Sequence, residues 1–250
     1  MDIKHKIMII LGICFFLCIG AYFIITNMFE SIEEQLFEKC RMEAQIGSRA
    51  MSEMMELMII SRLVPEKDLF DTNYVAIAGS NPKKYSTKYD KTFDKLLQRF
   101  EDELVLNDRD MVYAVLVDKN GYAPTHNSHY SKAPTGDTAY NLKYSRSKRM
   151  FNDKVGINAA RFNGKGTLDQ IYPRDTGETI LDISAPVMVR GKHWGAFRVG
   201  VSFNRINHLK NQMLLIIVMT IFVIISVTML MLFLIIPRKL LIQDLDMPKY

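Results

Sequence analysis

The chain has 250 residues, 48% apolar and 24% charged, with 32 lysines and arginines against 27 aspartates and glutamates for a net charge of +5. So small an excess, with no basic run interleaved with aromatics, argues against a nucleic-acid partner. The three cysteines include no Cys-x-x-Cys-His, which excludes covalent haem, and no cofactor is expected.

Residues 1–6 carry Lys4 and Lys6 and lead into an uncharged run over residues 7–26, Ile7 to Thr26. At the helical rise it gives about 30 Å, enough to cross a bilayer. A second uncharged run covers residues 213–236, Met213 to Ile236, and has the length of a tilted span. Two spans put both termini on one side. Lys4 and Lys6 before the first, with Arg238 and Lys239 after the second, assign that side to the cytoplasm and residues 27–212 to the outside. A cleavable signal peptide is the competing reading of the N-terminus, but the run is longer than a typical h-region and no Ala-x-Ala-like site follows. Cys14 and Cys18 fall in the first span. Cys40 stands alone outside it, so two readings are open: a small residue on a helix seam, or an intersubunit disulfide.

From Asn27 to about Leu63 only Gly47 interrupts a helical pattern. Met28, Ile32, Leu36, Cys40, Ala44, Met51, Met54 and Met58 recur at steps of three, four or seven, one stripe on a helix continuous with the first span. Such a helix is about 50 Å long, more than local packing needs. The excess points to a homodimer paired through residues 27–63, with packing of the methionine stripe on its own domain as the alternative. Pro65 is expected to end the helix, and the segment through Tyr89 to form a wrapping loop with a short strand in LFDTNYVAIAG. Phe93, Leu96, Leu97, Phe100 and Leu104 predict an amphipathic helix over Thr92 to Leu106. Strand signals follow at Met111–Val117, Gly121–Thr125, Ile171–Tyr172, Thr179–Val189 and Trp194–Phe203, with hairpin-type turns at Asn120-Gly121, Asp175 to Gly177 and Arg190-Gly191-Lys192. A long helix, a connecting helix and an antiparallel meander of about five strands predict an α+β domain between two transmembrane helices.

Four stretches, DLFDTNYVAIAGSNPKKYSTKYD, VDKNGYAPTHNSHYSKAPTGD, SKRMFNDKVGINAAR and DISAPVMVRGKHWGAFRVGVSF, resemble in that order the sensor region of bacterial methyl-accepting chemotaxis transducers. That region is a PAS-like, or single-Cache, extracytoplasmic domain held between two transmembrane helices of the inner membrane. The resemblance covers most of residues 65–204. It implies a long N-terminal helix, a curved antiparallel sheet whose concave face holds a small ligand, and a homodimer. In that family a HAMP linker and a long cytoplasmic signalling coiled coil follow the second span. Here residues 237–250 are all that follows, and Pro237, Leu240, Leu241 and Leu245 are compatible with the opening of a HAMP helix. Two readings are open: a truncated product, or output through a separate signalling partner.

Catalysis has little to build on. The outer segment lacks Gly-x-Ser-x-Gly and holds no cysteine but Cys40, so the chain is not read as an enzyme. His126 and His129 have a metal-like spacing, but Pro124 and Asn127-Ser128 make the segment a loop, and no carboxylate or cysteine completes a ligand set. Asn163-Gly164-Lys165-Gly166-Thr167 lacks the upstream glycine of a phosphate loop and reads as a hairpin tip. The basic cluster Lys143, Arg146, Lys148 and Arg149 is a solvated face or an anion contact. Recognition is the reading left. Asp118 ends a strand, and the glycine turn returns the chain as Tyr122, placing a carboxylate near a ring at a sheet edge. The candidate ligand residues are Asp118, Tyr122, His126, Arg149, Arg161, Tyr172, Arg174, Asp175 and Trp194, and the guanidiniums among them favour a carboxylate-bearing small molecule. Bland roles compete: Asp118 as a turn stabiliser, Trp194 as core, Arg174 in a local ion pair. A receptor is the first functional reading, and a membrane-anchored interaction protein without a ligand of its own is the second.

Overall fold

The computed structural model describes residues 3–108, 110–175 and 177–235, with the side chain of Arg205 excepted. Ile236 and the tail with Pro237, Leu240, Leu241 and Leu245, on which the expected opening of a HAMP helix falls, lie outside the described residues. The chain divides into two units, one of Gln35–Ile206 and one of Met1–Glu34 with Asn207–Tyr250.

Helix α1, Ile3–Ile60, contributes to both units. It stops short of Pro65. Arg62 takes a left-handed conformation, φ 60°, and the Leu63 amide donates back to the Met58 carbonyl at 2.9 Å, satisfying the end of the helix as a C-terminal cap does. Pro65 instead caps the start of the short α2, Glu66–Leu69. The predicted strand in the wrapping loop is present as β1, Val75–Ala76, paired antiparallel with β2, Tyr85–Ser86. The predicted amphipathic helix is broken at Leu97 into α3, Asp90–Leu96, and α4, Gln98–Asn107. Next come β3, Met111–Asp118, β4, Tyr122–Ala123, α5, Thr138–Tyr144, β5, Arg149–Met150, and α6, Lys154–Arg161. The chain then runs through β6, Leu168–Pro173, β7, Thr179–Val189, β8, Lys192–Ser202, and α7, Phe203–Ile235.

The main sheet has four antiparallel strands in the order β3-β8-β7-β6. β6, β7 and β8 form the predicted meander, closed at one turn by Arg190 and Gly191, both at positive φ as a two-residue hairpin requires. Of the five strands predicted, the one at Gly121–Thr125 is not in it. β4 pairs with β5 instead, which pulls that segment off the sheet. Asn163 to Thr167 is also not a hairpin tip, since it joins α6 to β6.

Alternation along the strands gives the sheet two apolar faces. Leu116, Leu181, Ile183, Phe197, Val199 and Val201 share one core with Cys40, Ala44, Met51, Met55 and Met58 of α1 and with Phe93 and Leu97. The methionine stripe therefore packs on its own domain, with Met55 rather than Met54 fully inside. Gly47 lets the helix lie this close, because a methyl there would overlap the Phe197 ring. Cys40 is sealed in the same layer and its thiol is pushed up to about 12 by burial, so it is a seam residue. The opposite face carries Tyr113, Val115, Val117, Ile180 and Ala196, covered in part by Tyr130 and by Ala160 of α6.

In the other unit, Lys210 of α7 reaches Glu33 of α1 at 3.2 Å. Both helices are long and apolar enough to cross a membrane, with windows of mean hydropathy 2.8 and 2.9, consistent with a two-pass membrane protein.

Candidate functional site

The face of the sheet turned away from α1 carries charge at its centre. Asp182 on β7 and Arg198 on β8 interrupt apolar strands, and the register, with Asp182 opposite Gly200 and Ser184 opposite Arg198, makes them diagonal neighbours with both side chains on this face. Arg198 Nε donates to Asp182 at 3.0 and 3.3 Å, and the Tyr113 hydroxyl donates to the same carboxylate at 2.6 Å. Burial works against the Arg198 charge, but the Asp182 carboxylate together with Tyr113 and Tyr172 outweighs it and holds the guanidinium above its ordinary value. Gly200 makes room for this arrangement, since a methyl there would overlap the Tyr113 ring.

Above this floor lies a cleft of about 510 Å³, walled by Arg146, Arg149, Met150 and Phe151, by the first residues of α6, and by Tyr172, Asp175 and Arg198. Arg146 and Arg149 converge on Asp175. Arg146 Nη1 reaches Oδ1 at 2.7 Å and Arg149 Nη2 reaches Oδ2 at 3.2 Å. Both also donate to the Leu142 carbonyl, at 2.9 and 3.1 Å, and both lie over the Phe151 ring. Burial lowers the pKa of Arg146, and neighbouring Arg174 adds to the effect. For Asp175 burial pushes upward, but Arg146 and Arg149 outweigh it and hold the carboxyl below the usual range.

Deeper in, a void of about 20 Å³ is bounded by Tyr113, Val115, His126 and Arg174 and shares Arg146, Phe151, Tyr172 and Arg198 with the cleft. The Arg174 guanidinium sits between the rings of Tyr113 and Tyr130, 5.3 and 4.8 Å from their centroids, and is 3.5 Å from Glu178. Its Nε is buried without a hydrogen-bond partner. His126 is buried with Nδ1 2.7 Å from the Asn127 side-chain oxygen, and burial with the nearby arginines holds its pKa well below the ordinary value, so the ring is neutral.

Four guanidiniums, those of Arg146, Arg149, Arg174 and Arg198, thus face three carboxylates, Asp175, Asp182 and Glu178, and one positive charge is left over. At the rim Lys154 is offset by Asp153, which caps α6 by accepting from the amides of Val155 and Gly156. The arrangement can hold one anionic group against an aromatic and apolar wall.

Of the nine residues the sequence suggested, five border these cavities: His126, Arg149, Tyr172, Arg174 and Asp175. Four do not. Asp118, Tyr122 and Trp194 lie in the layer beneath the other face, where each has a packing or hydrogen-bonding role. The Asp118 carboxylate accepts from the Tyr74 hydroxyl at 2.5 Å and from the amides of Asn120 and Tyr122 at 2.9 and 3.0 Å. Burial leads the balance on Asp118 and raises its pKa despite those donors. The Tyr122 hydroxyl donates to Asp90 at 2.8 Å, and Trp194 Nε1 donates to the Leu69 carbonyl at 2.8 Å. The gap beside Asp118 and Trp194 is about 10 Å³, too small for a ligand. Arg161 is exposed at the end of α6 and lines neither cavity.

Arg198, Asp182, Tyr113 and Phe151 were not anticipated, and Arg146 only as one of a basic cluster. A usable signal was present: Asp182 and Arg198 are single charges inside otherwise apolar strands of one hairpin, and such charges are normally paired. Among the described residues no group of three or more His, Cys, Asp and Glu side chains could hold a metal ion. His129 stands edge-on to the rings of Tyr130 and Tyr144.

Fold and cleft define a class: a chain with two membrane-length helices and an α+β unit bearing an arginine-lined cleft. No protein-family model matches the chain, and no curated protein matches it.

Proposed function

We propose that this chain is a two-pass sensor of a bacterial inner membrane, of the chemoreceptor type, whose α+β unit lies outside the cell and binds a small carboxylate-bearing ligand. The observation that carries the reading is the arginine cleft with its one unbalanced positive charge, set on a sheet whose other face is covered by α1. A long N-terminal helix across an antiparallel sheet, with a ligand-sized cleft on the opposite face, is also what the single-Cache resemblance leads one to expect. Binding, not catalysis, is the proposed activity. A ligand that favours one of two arrangements of the spans shifts their populations by its differential affinity.

The homodimer belongs to the same proposal, but on a different face of α1. With the methionine stripe covered, the outward residues Met42, Ile46, Leu57 and Ile60 remain exposed, with Arg49 and Glu53 between them. They recur at steps of three and four and offer a second copy an apolar seam with opposite charges at its middle.

The direct test is thermal unfolding of the whole chain in detergent against a panel of carboxylates, amino acids and amines. Carboxylates at a hundredfold excess over Kd are expected to stabilise the protein by about 2.7 kcal/mol, and amines to have no effect. A folded chain whose melting temperature no carboxylate raises would remove the support for ligand sensing. Its co-purification with another membrane receptor would then favour the docking-partner reading.

A further inference from the structure

We infer that Asp175 occupies the place of the ligand's carboxylate: Arg146 and Arg149 are satisfied by the protein's own side chain until a ligand carboxylate binds there by exchange. The inference rests on the cleft being a ligand site, and it specifies how that site is regulated. The two guanidiniums are positioned without Asp175. Each is anchored on the Leu142 carbonyl and laid on the Phe151 ring, so the pair is preorganised by the chain between α5 and α6. Asp175 arrives from elsewhere, on the turn between β6 and β7, and presents one oxygen to each arginine as a bound carboxylate would.

The three carboxylates of the cleft differ in how firmly they are held. Asp182 is fully buried and accepts from both Tyr113 and Arg198, so it is a fixed part of the floor. Glu178 touches Arg174 only at 3.5 Å, beside the deeper void. Asp175 is 34% exposed, its partners are the two arginines, and it can turn to water without leaving an unsatisfied buried oxygen. The turn that carries it has two short-range bonds, Arg174 N–H to the Glu178 carbonyl at 2.8 Å and Gly177 N–H to the Arg174 carbonyl at 2.9 Å. Exchange of one carboxylate for another keeps the charge on the arginine pair unchanged, so neither guanidinium loses its carboxylate partner while buried. A ligand with a single carboxylate replaces the one that Asp175 supplies, while Met150, Phe151 and Val155 provide an apolar wall for its body.

The test compares the whole chain in detergent with its Asp175→Asn variant, using butyrate as the probe and butyramide as its neutral control. Removal of an internal competitor is expected to tighten butyrate binding about tenfold, with butyramide inert in both. If butyrate binds the wild-type chain and the variant binds it no better, or worse, Asp175 is a contact or a bystander and the inference fails while the receptor reading stands. If butyrate binds neither protein but another compound of the panel stabilises the wild type, the exchange seat is wrong and the receptor reading again survives. If no carboxylate binds either, both fall. Should the variant not fold, hydrogen exchange on the wild type decides. Butyrate is expected to speed exchange of the Arg174 and Gly177 amides as the turn is released, and slower exchange overturns the inference.

Discussion

Glu101 is a carboxyl group with no room for its charge. It is fully buried on α4, where Oε1 accepts from the Leu116 amide at 3.0 Å and from the Thr125 hydroxyl at 2.9 Å, while Oε2 has no partner. The role is architectural: β3 is an edge of the sheet, and Glu101 satisfies one of its free amides while tying α4 to the loop that carries His126. Burial pushes its pKa to about 8, and Glu43, half-buried on α1 near Asp108, is pushed to about 7. In both cases the folded state holds the proton more tightly than the unfolded chain. Their stabilising effect is therefore complete below the unfolded carboxyl range, near pH 4.5, and is lost as pH rises through about 7 and 8. From these two groups the melting temperature is expected to fall from about pH 4.5 to about pH 8 and to level off above that. Glu101→Gln, which keeps the acceptor but cannot ionise, should flatten the upper part of that fall and exceed the wild type at pH 9. A variant that tracks the wild type across the range would mean that Glu101 is ionised in the fold.

At the scale of elements, α1 shows how far a periodic pattern can be read. Steps of three, four and seven located the buried stripe from Cys40 to Met58, apart from Met55 in place of Met54, while Met28 and Ile32 of the same pattern are exposed; nor does a stripe say what covers it. Cys40, Ala44 and Met51 meet the sheet because β3, β7 and β8, all far along the chain, present Leu116, Ile183 and Phe197 to them. The proposed dimer seam is consequently the other face, which can be checked by disulfide cross-linking in membranes with the native cysteines replaced. Leu57→Cys is expected to cross-link and Met55→Cys to stay monomeric; the reverse result, or none at either position, would sink the seam. The strands were readable for a similar reason: β7 was located to the residue by its alternation and its turns. The segment after Asn120-Gly121 was not, because Tyr122 and Ala123 have strand character but bond to β5, a partner no local signal identifies.

For the molecule as a whole, the orientation of the unit between the membrane-length helices controls every functional statement. With the native cysteines replaced, Lys165→Cys is expected to react with a membrane-impermeant maleimide in intact cells, while cysteines at the two chain ends react only after the membrane is opened. Labelling in the opposite order would place the cleft in the cytosol and end the proposal of an external ligand. The sequence alone determined the two apolar helices, the antiparallel strands with their turns and the α+β character, because hydropathy and side-chain alternation are properties of neighbours along the chain. It also marked Arg149, Tyr172, Arg174, Asp175 and His126 for recognition. Only the tertiary structure decided that Asp118, Tyr122 and Trp194 lie beneath the opposite face, and that Arg146 and Arg198 join the cleft. A binding site is made of groups distant in sequence, and strand register, which sets the face each one reaches, follows from pairing across the whole sheet.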